Sequence, residues 1–201
     1  MISNLHQVMH GVAIKKHGSA EDVAGVSGLP VPLVTEVLAE AKAKGRVVST
    51  DGKFLLSPAG QMILMSEYSR FWDGLCDDAA FVECYGQFER INTDLKQLIT
   101  DWQTMDFGGK KVANDHSDPD YDHKLIDRLG DLHERFEAIL ERMIERHARF
   151  GSYKTRLLAA LEKAEDGKVE WVSDARIESY HTVWFELHED LLRLLGRQRE
   201  E

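Results

Sequence analysis

Apolar residues in the first third of the chain recur every three or four positions, as they do on the buried face of a helix. The pattern predicts helices over 4–14 and 20–26, and a third helix that has Pro30 and Pro32 in its preceding loop and first turn and ends before Gly45. The first has its apolar face at Leu5, Val8, Met9 and Val12. The third has its apolar face at Val34, Val37, Leu38 and Ala41. Ser19 is placed to cap the second helix, with Asp22 three positions later as in a capping box.

A two-residue turn separates the two short β-prone runs that follow. Residues 46–50 and 53–56 flank Asp51-Gly52. Asp-Gly favours a type I′ turn, in which both central residues have a positive φ, so we predict a β-hairpin. Ser57 is then placed to cap a further helix that has Pro58 at its first position.

This order of elements over residues 3–65 resembles the winged helix-turn-helix domains of bacterial transcriptional regulators, broadly the MarR- and GntR-like groups. The residues that carry the resemblance are Ser19, Val23, Ala24, Val34, Val37 and Leu38 in the helices, and Gly45-Arg46-Val47 with 51–60 in the wing and its exit. The resemblance implies double-stranded DNA as a partner. The contacts it implies are Ser19, Pro32, Thr35, Lys42, Arg46 and Lys53.

Charge divides the chain unevenly. Residues 1–65 hold six Lys and Arg against five Asp and Glu, whereas residues 66–201 hold 19 against 30. DNA phosphates would be attracted weakly by the first segment and repelled by the second. The predicted recognition helix offers Val31, Pro32, Leu33, Thr35 and Glu36, and none of the Arg, Asn or Gln side chains that pair best with guanine or adenine. A winged helix that binds protein, as an accessory or regulatory module of a larger enzyme complex, is therefore the alternative to a DNA-binding regulator.

From residue 66 to residue 201 the pattern predicts an antiparallel helical bundle that serves as an effector and dimerisation domain. The fold class is thus mainly α, with a winged helix over 1–65 followed by the bundle. One helix is predicted over 122–149 and another over 175–196. The segment 105–121 shows no apolar period, so we expect a mobile loop there. The last helix is apolar around much of its circumference, which predicts a homodimer with an interface on 57–80 or 175–197.

Three histidines on the predicted bundle helices point to a site for a small-molecule effector. His181 and His188 are seven residues apart and share the apolar face of the last helix, and His133 has a similar position on its own helix. The expected lining is His133, Phe136, His181, Trp184, Phe185 and His188. Imidazole also binds divalent metals such as zinc, so metal ligation by His133, His181 and His188, an organic-ligand pocket and purely structural histidines all stay open. One GntR-type effector domain uses histidines with an aspartate around a metal, but the order and spacing here do not match its ligands.

No pattern predicts an enzyme or a catalytic residue. The glycine pairs lack the context of a phosphate loop, and Cys76 lies among Asp73, Asp77 and Asp78, which would weaken it as a nucleophile. Two cysteines are too few for a disulfide framework, and we find neither a signal peptide nor a long apolar stretch. We therefore expect a cytoplasmic protein without a membrane partner.

Overall fold

A computed structural model describes residues 2–197, apart from the side chain of Phe107. These residues are mainly helical, with two small two-stranded antiparallel sheets. The first six elements are α1 Asn4–Lys15, α2 Ala20–Ser27, α3 Val31–Ala43, β1 Val47–Thr50, β2 Lys53–Leu56 and α4 Pro58–Cys76. They are followed by α5 Ala79–Gln103, β3 Thr104–Phe107, β4 Lys110–Ala113, α6 Pro119–Arg146, a 3₁₀ turn Ala148–Phe150, α7 Gly151–Glu165, α8 Glu170–Ser173 and α9 Tyr180–Leu194.

The chain divides into two compact units that are not continuous in sequence. The first unit consists of residues up to Val82 together with Arg149–Ser152 and the segment from Glu186 onward. The second unit consists of Glu83–Ala148 and Tyr153–Phe185. Residue 65, where we predicted a domain boundary, lies inside α4, which belongs wholly to the first unit.

The predicted cap and turn residues act as expected in the first unit. The Ser19 hydroxyl accepts from the backbone N–H of Asp22 while the Asp22 carboxylate accepts from that of Ser19, which completes a capping box. Asp51 and Gly52 have φ values of 51° and 75°, as the hairpin turn requires. β1 pairs with β2 from Val47↔Leu56 to Thr50↔Lys53, and Gly18 forms an isolated bridge with Phe54.

The core of the first unit unites α1, α2, α3 and the hairpin. Its buried members are Val8, Val12, Val23, Ala24, Val34, Val37 and Leu38, and Phe54 and Leu56 pack against them. A second cluster joins Met9 and Ala13 of α1 to Leu64 of α4. Met62 and Met65 of α4 are 74% and 63% exposed, because Leu64 occupies the inward position of that turn.

The second unit contains most of α5 and α6 with their inner faces buried. Ion pairs join Glu83 to Arg142, Asp94 to Arg135 and Asp101 to Arg128. Since the α5 numbers rise as the α6 numbers fall, the two helices run antiparallel. An apolar stripe of α6 is buried throughout: Leu125, Leu129, Leu132, Phe136, Ile139 and Met143.

The segment predicted to be a loop contains a second hairpin. β3 and β4 pair from Thr104↔Ala113 to Phe107↔Lys110, around Gly108 and Gly109 with φ values of 60° and 79°. The prediction of a loop over 105–121 was wrong for this part, because Gly108 and Gly109 supply the two positive φ values of a type I′ turn, and the alternation of polar and apolar residues in β3 covers only four positions. The sequence pattern also did not predict α8, which is only one turn long.

Candidate functional site

The outward face of α3 is the surface that would read DNA if the resemblance held. Its exposed side chains are Val31, Pro32, Thr35, Glu36, Ala39, Glu40, Lys42 and Ala43. The Thr35 hydroxyl donates to the carbonyl of Val31 at 2.9 Å, which satisfies it within the helix. Glu36 and Glu40 bring two negative charges to this helix surface and Lys42 brings one positive charge, and no exposed residue on it carries a guanidinium or an amide side chain.

The predicted DNA-contacting residues have structural partners in several cases. Ser19 caps α2, and the Lys42 ammonium donates to the Ser49 hydroxyl at 2.6 Å. Lys44, next to this group, forms an ion pair with Glu40 and lowers the pKa of that carboxyl. Arg46 is half-buried, whereas Lys53 is exposed at the start of β2.

Three of the residues predicted to line an effector site lie in the second unit as packed side chains. The rings of Phe136 and Trp184 are 4.6 Å apart, and the indole N–H of Trp184 donates to the amide oxygen of Asn92 at 3.0 Å. His133 lies 3.2 Å from the Tyr180 hydroxyl, measured from Nδ1. Burial lowers the pKa of His133, so its ring is neutral at pH 7.

The remaining three predicted residues have different environments. His181 is half-buried and Phe185 is 38% exposed, both in the second unit, whereas His188 is buried in the first unit. Within residues 2–197, no group of three or more His, Cys, Asp or Glu side chains is arranged to hold a metal ion. The metal hypothesis therefore has no support in the geometry of the described residues.

A buried polar cluster in the first unit involves residues that we did not predict. Arg149 donates to both carboxylate oxygens of Asp190, at 2.7 and 2.6 Å. The guanidinium also lies 5.1 Å from the ring centre of Trp72 and 4.7 Å from that of Phe150. A bidentate ion pair of this kind between buried groups is strong, and it fixes the orientation of both side chains.

His10 connects this ion pair to α4. Its Nε2 lies 2.8 Å from an Asp190 oxygen and its Nδ1 lies 2.7 Å from the Tyr68 hydroxyl. Burial alone would raise the pKa of Asp190, but Arg149 and His10 together hold it well below its usual range. Because the carboxylate is ionised, it accepts a hydrogen bond from the Nε2–H of His10, and the Tyr68 hydroxyl donates a hydrogen bond to Nδ1.

His6 is held in the neutral form by its neighbours. Its Nε2 accepts from the indole N–H of Trp72 at 2.8 Å, so this nitrogen carries no proton. Nδ1 lies 3.2 Å from a Glu67 oxygen and donates to it. Burial lowers the pKa of both His6 and His10, and the opposing effects of Glu67 and Asp190 are smaller.

The network resembles a catalytic Asp-His pair, but its geometry does not expose a reactive atom. The His10 ring is 2% exposed and both of its nitrogens have partners, so neither can reach a substrate proton. The network therefore has a structural role: it holds together α1, α4 and the turn of α9 that contains Asp190, all within one unit. The thiol of Cys76 is also unsuited to nucleophilic attack, because burial, with Asp73 and Asp77, raises its pKa.

One sequence signal pointed to this cluster. His6 and His10 are four residues apart, which places both on one face of α1 beside the buried Val8, Met9 and Val12. Their partners Arg149 and Asp190 show no comparable signal, because each lies on another element far along the chain.

No family model, curated protein or solved structure matches this chain. In the described part of the chain, no single helix has the length and apolarity needed to cross a bilayer; only α2 and α3 taken together, bent by 112°, satisfy those criteria.

Proposed function

We propose that the chain is an accessory or regulatory module whose N-terminal elements form a winged helix that binds protein rather than DNA. Support for the winged helix comes from the path of the chain between α2 and α3. Three residues, Gly28 to Pro30, separate them, and the direction changes by 112°. Helix-turn-helix pairs cross at about 90–120° over a turn of three or four residues. The hairpin follows α3 directly, and the Gly18–Phe54 bridge adds a third backbone segment to it.

The composition of the outward face of α3 is the observation that favours a protein partner over DNA. In a helix-turn-helix this face enters the major groove, where guanidinium and amide groups read base edges and cations contact phosphates. Here it presents Glu36 and Glu40, while the exposed Lys42 donates to Ser49 and Lys44 is paired with Glu40. Two exposed carboxylates would face phosphates across the groove at a cost in Coulomb energy. The apolar and small residues Val31, Pro32 and Ala39 instead suit contact with another protein surface.

Fluorescence anisotropy with a random-sequence DNA duplex tests this proposal. We expect no binding by the wild type even at about 20 mM salt, where nonspecific phosphate contacts are strongest. The double variant Glu36→Lys/Glu40→Lys should gain salt-sensitive binding, which would show that α3 is accessible. Glu134→Lys/Glu145→Lys makes the same charge change on exposed positions of α6 and should not gain binding. Tight binding by the wild type would overturn the proposal.

A photo-reactive amino acid in place of Thr35 tests directly whether α3 contacts protein or nucleic acid. Illumination in the producing cells should yield an adduct that protease destroys and nuclease leaves intact. The same residue at Glu134, which is also exposed but lies on α6, is the matched control. A nuclease-sensitive adduct formed only from Thr35 would count against protein binding.

A DNA-binding transcriptional regulator with a helical bundle for effector sensing and dimerisation is the second candidate. The helix-turn-helix angle and the exposed Lys53 of β2 favour it. For this candidate the logarithm of the DNA affinity should fall linearly with the logarithm of the salt concentration, and Lys53→Gln should reduce the slope by about one.

A further inference from the structure

The first unit contains a cavity of about 220 Å³ at the end of α1. It lies entirely within that unit, so its walls are parts of one compact body. The residues that line it are Val12, Ala13, Lys16, Leu55, Leu56, Gln61 and Arg193. Sites for drug-sized molecules usually measure about 300–1,000 Å³, so this cavity suits a smaller molecule.

The polar part of the lining is cationic. Lys16 and Arg193 supply two positive charges and Gln61 supplies an amide, and none of the described lining residues is acidic. The Arg193 guanidinium forms an ion pair with Glu189 at 2.7 Å, which leaves further N–H donors on the guanidinium, since an arginine has five. The other four residues form an apolar wall from α1 and β2. This combination suits a molecule with an anionic head and a short hydrocarbon part.

The backbone that presents Lys16 is strained. Lys16 has φ 60° and ψ −46°, and the N–H of His17 donates to the carbonyl of Lys15 at 2.6 Å. These values describe a γ-turn with a positive φ, a rare conformation for a residue with a side chain. Strain of this kind persists where the surrounding fold enforces it, and it concentrates at ligand sites. A glycine would avoid the strain, but it would bring no charge to the cavity.

The second cation lies beside the buried network and is held by its ion pair with Glu189 at 2.7 Å. Arg193 is near enough to the Tyr68 hydroxyl to lower its pKa against the larger effect of burial, and this hydroxyl donates to His10, which is bonded to Asp190. The guanidinium is therefore oriented before any ligand arrives, which reduces the ordering cost of binding.

We propose that this cavity binds a small organic anion, with a carboxylate or phosphate head held by Lys16 and Arg193 and a short aliphatic part against Val12 and Leu56. The proposal is independent of whether α3 binds protein or DNA, because no residue of the outward α3 face lines the cavity.

Isothermal titration calorimetry with butanoate, butyl phosphate, inorganic phosphate and the neutral butanamide tests the proposal. We expect one-to-one binding of butanoate or butyl phosphate, and the tighter of the two identifies the head group. Butanamide should bind at least about tenfold more weakly, because charge-assisted hydrogen bonds are about twice as strong as neutral ones. Inorganic phosphate should bind more weakly than butyl phosphate, since it lacks the apolar contact.

Variants locate the binding in this cavity. Lys16→Gln and Arg193→Gln should each reduce the affinity for the anion by about tenfold. Lys16 is exposed, so Lys16→Gln is the decisive variant, and an unchanged melting temperature shows that its fold is intact. Lys53→Gln removes a charge from the same unit outside the cavity and should leave the affinity unchanged. Failure of both organic anions to bind, equal binding of butanamide, or an equal loss in Lys53→Gln would each overturn the proposal.

Discussion

At the scale of single residues, Asp190 neutralises Arg149 where both side chains are almost fully buried. Removing one partner of such a pair leaves a buried charge, which costs about 3–5 kcal/mol. We therefore expect Asp190→Asn to lower the free energy of unfolding by about this amount in urea denaturation. Asp94→Asn breaks the exposed pair with Arg135 and is the control, for which we expect little change. Equal losses in the two variants would contradict the assigned role of Asp190.

His6 makes the stability of the first unit depend on pH. Because its pKa is lowered in the folded state, the unfolded chain binds more protons between that lowered pKa and about 6.5. The stabilisation is complete above about pH 6.5 and is lost as the pH falls below it. The pKa of His10 is also lowered, so His10 changes the stability in the same direction. For His6, Glu67 opposes the lowering of the pKa and Arg149 adds to it. Melting temperatures should therefore decline between about pH 7 and pH 5.

The variant Trp72→Phe tests the part of this effect that comes from His6. The indole N–H faces Nε2, so a second proton on the imidazole would place two donors against each other. Phenylalanine removes that conflict and should flatten the decline of melting temperature with acid, even if the protein is less stable at every pH. An unchanged slope would assign the acid sensitivity to other groups.

Residue-level prediction succeeded where the cause was local. Ser19, the Asp51-Gly52 turn and Ser57 act through neighbours within three positions, so their roles are evident in the sequence. The pair His10–Asp190 spans 180 positions, and nothing in either local sequence indicates the other. Side-chain projection placed His133 on an apolar face and left several partners open, and the structure gives it the Tyr180 hydroxyl.

At the scale of elements, α4 approaches the start of β1 so closely that only glycine fits in its first turn. A Cβ atom on Gly60 would lie 1.9 Å from the carbonyl oxygen of Arg46. Gly60→Ala must therefore displace backbone, at a cost of roughly 1–3 kcal/mol, the range for overpacking. Gly74, on the same helix, has nothing within 4 Å, so Gly74→Ala should stabilise by roughly 0.5–1 kcal/mol. Chemical denaturation of both variants checks the prediction, and changes of the same sign would refute it.

The two hairpins show what an element needs in order to be recognised. β1 and β2 combine their turn residues with runs of β-branched, aromatic and aliphatic residues, whereas half of the residues of β3 and β4 are polar and two lysines directly follow Gly108-Gly109. The second hairpin is held at its base instead, since the Tyr121 hydroxyl donates to the carbonyls of Asp101 and Thr104 at 2.9 and 3.1 Å. Those contacts come from α6 and lie outside any strand pattern. The mobility expected for this segment stays a prediction.

At the scale of the whole molecule, the apolar breadth of α9 is not evidence for a second subunit. Tyr180, Val183, Trp184, Leu187 and Leu191 are all buried within the single chain. The other predicted interface, 57–80, does present unburied apolar surface at Met62 and Met65. The homodimer therefore stays a prediction, and it now depends on α4.

Light scattering with the double variant Met62→Asp/Met65→Asp tests this assembly. The wild type should have twice the chain mass of 22.9 kDa, and the variant should have the mass of one chain, because two carboxylates would be buried in the interface. Leu158→Asp introduces a charge at another exposed apolar position, on α7, and should leave the dimer intact. A wild type that is monomeric at micromolar concentration would rule out the dimer.

The division of the first unit into three separated stretches has a consequence for biosynthesis. A ribosome releases α1 to α4 long before it makes Arg149, and Asp190 comes later still. Until then His10 lacks its carboxylate, so the early stretch cannot reach its final stability while translation continues. Contacts between such distant positions also slow the search for the native state, because a long loop must close before they form. We therefore expect nascent chains arrested before Glu186 to be degraded by proteases that spare the finished protein.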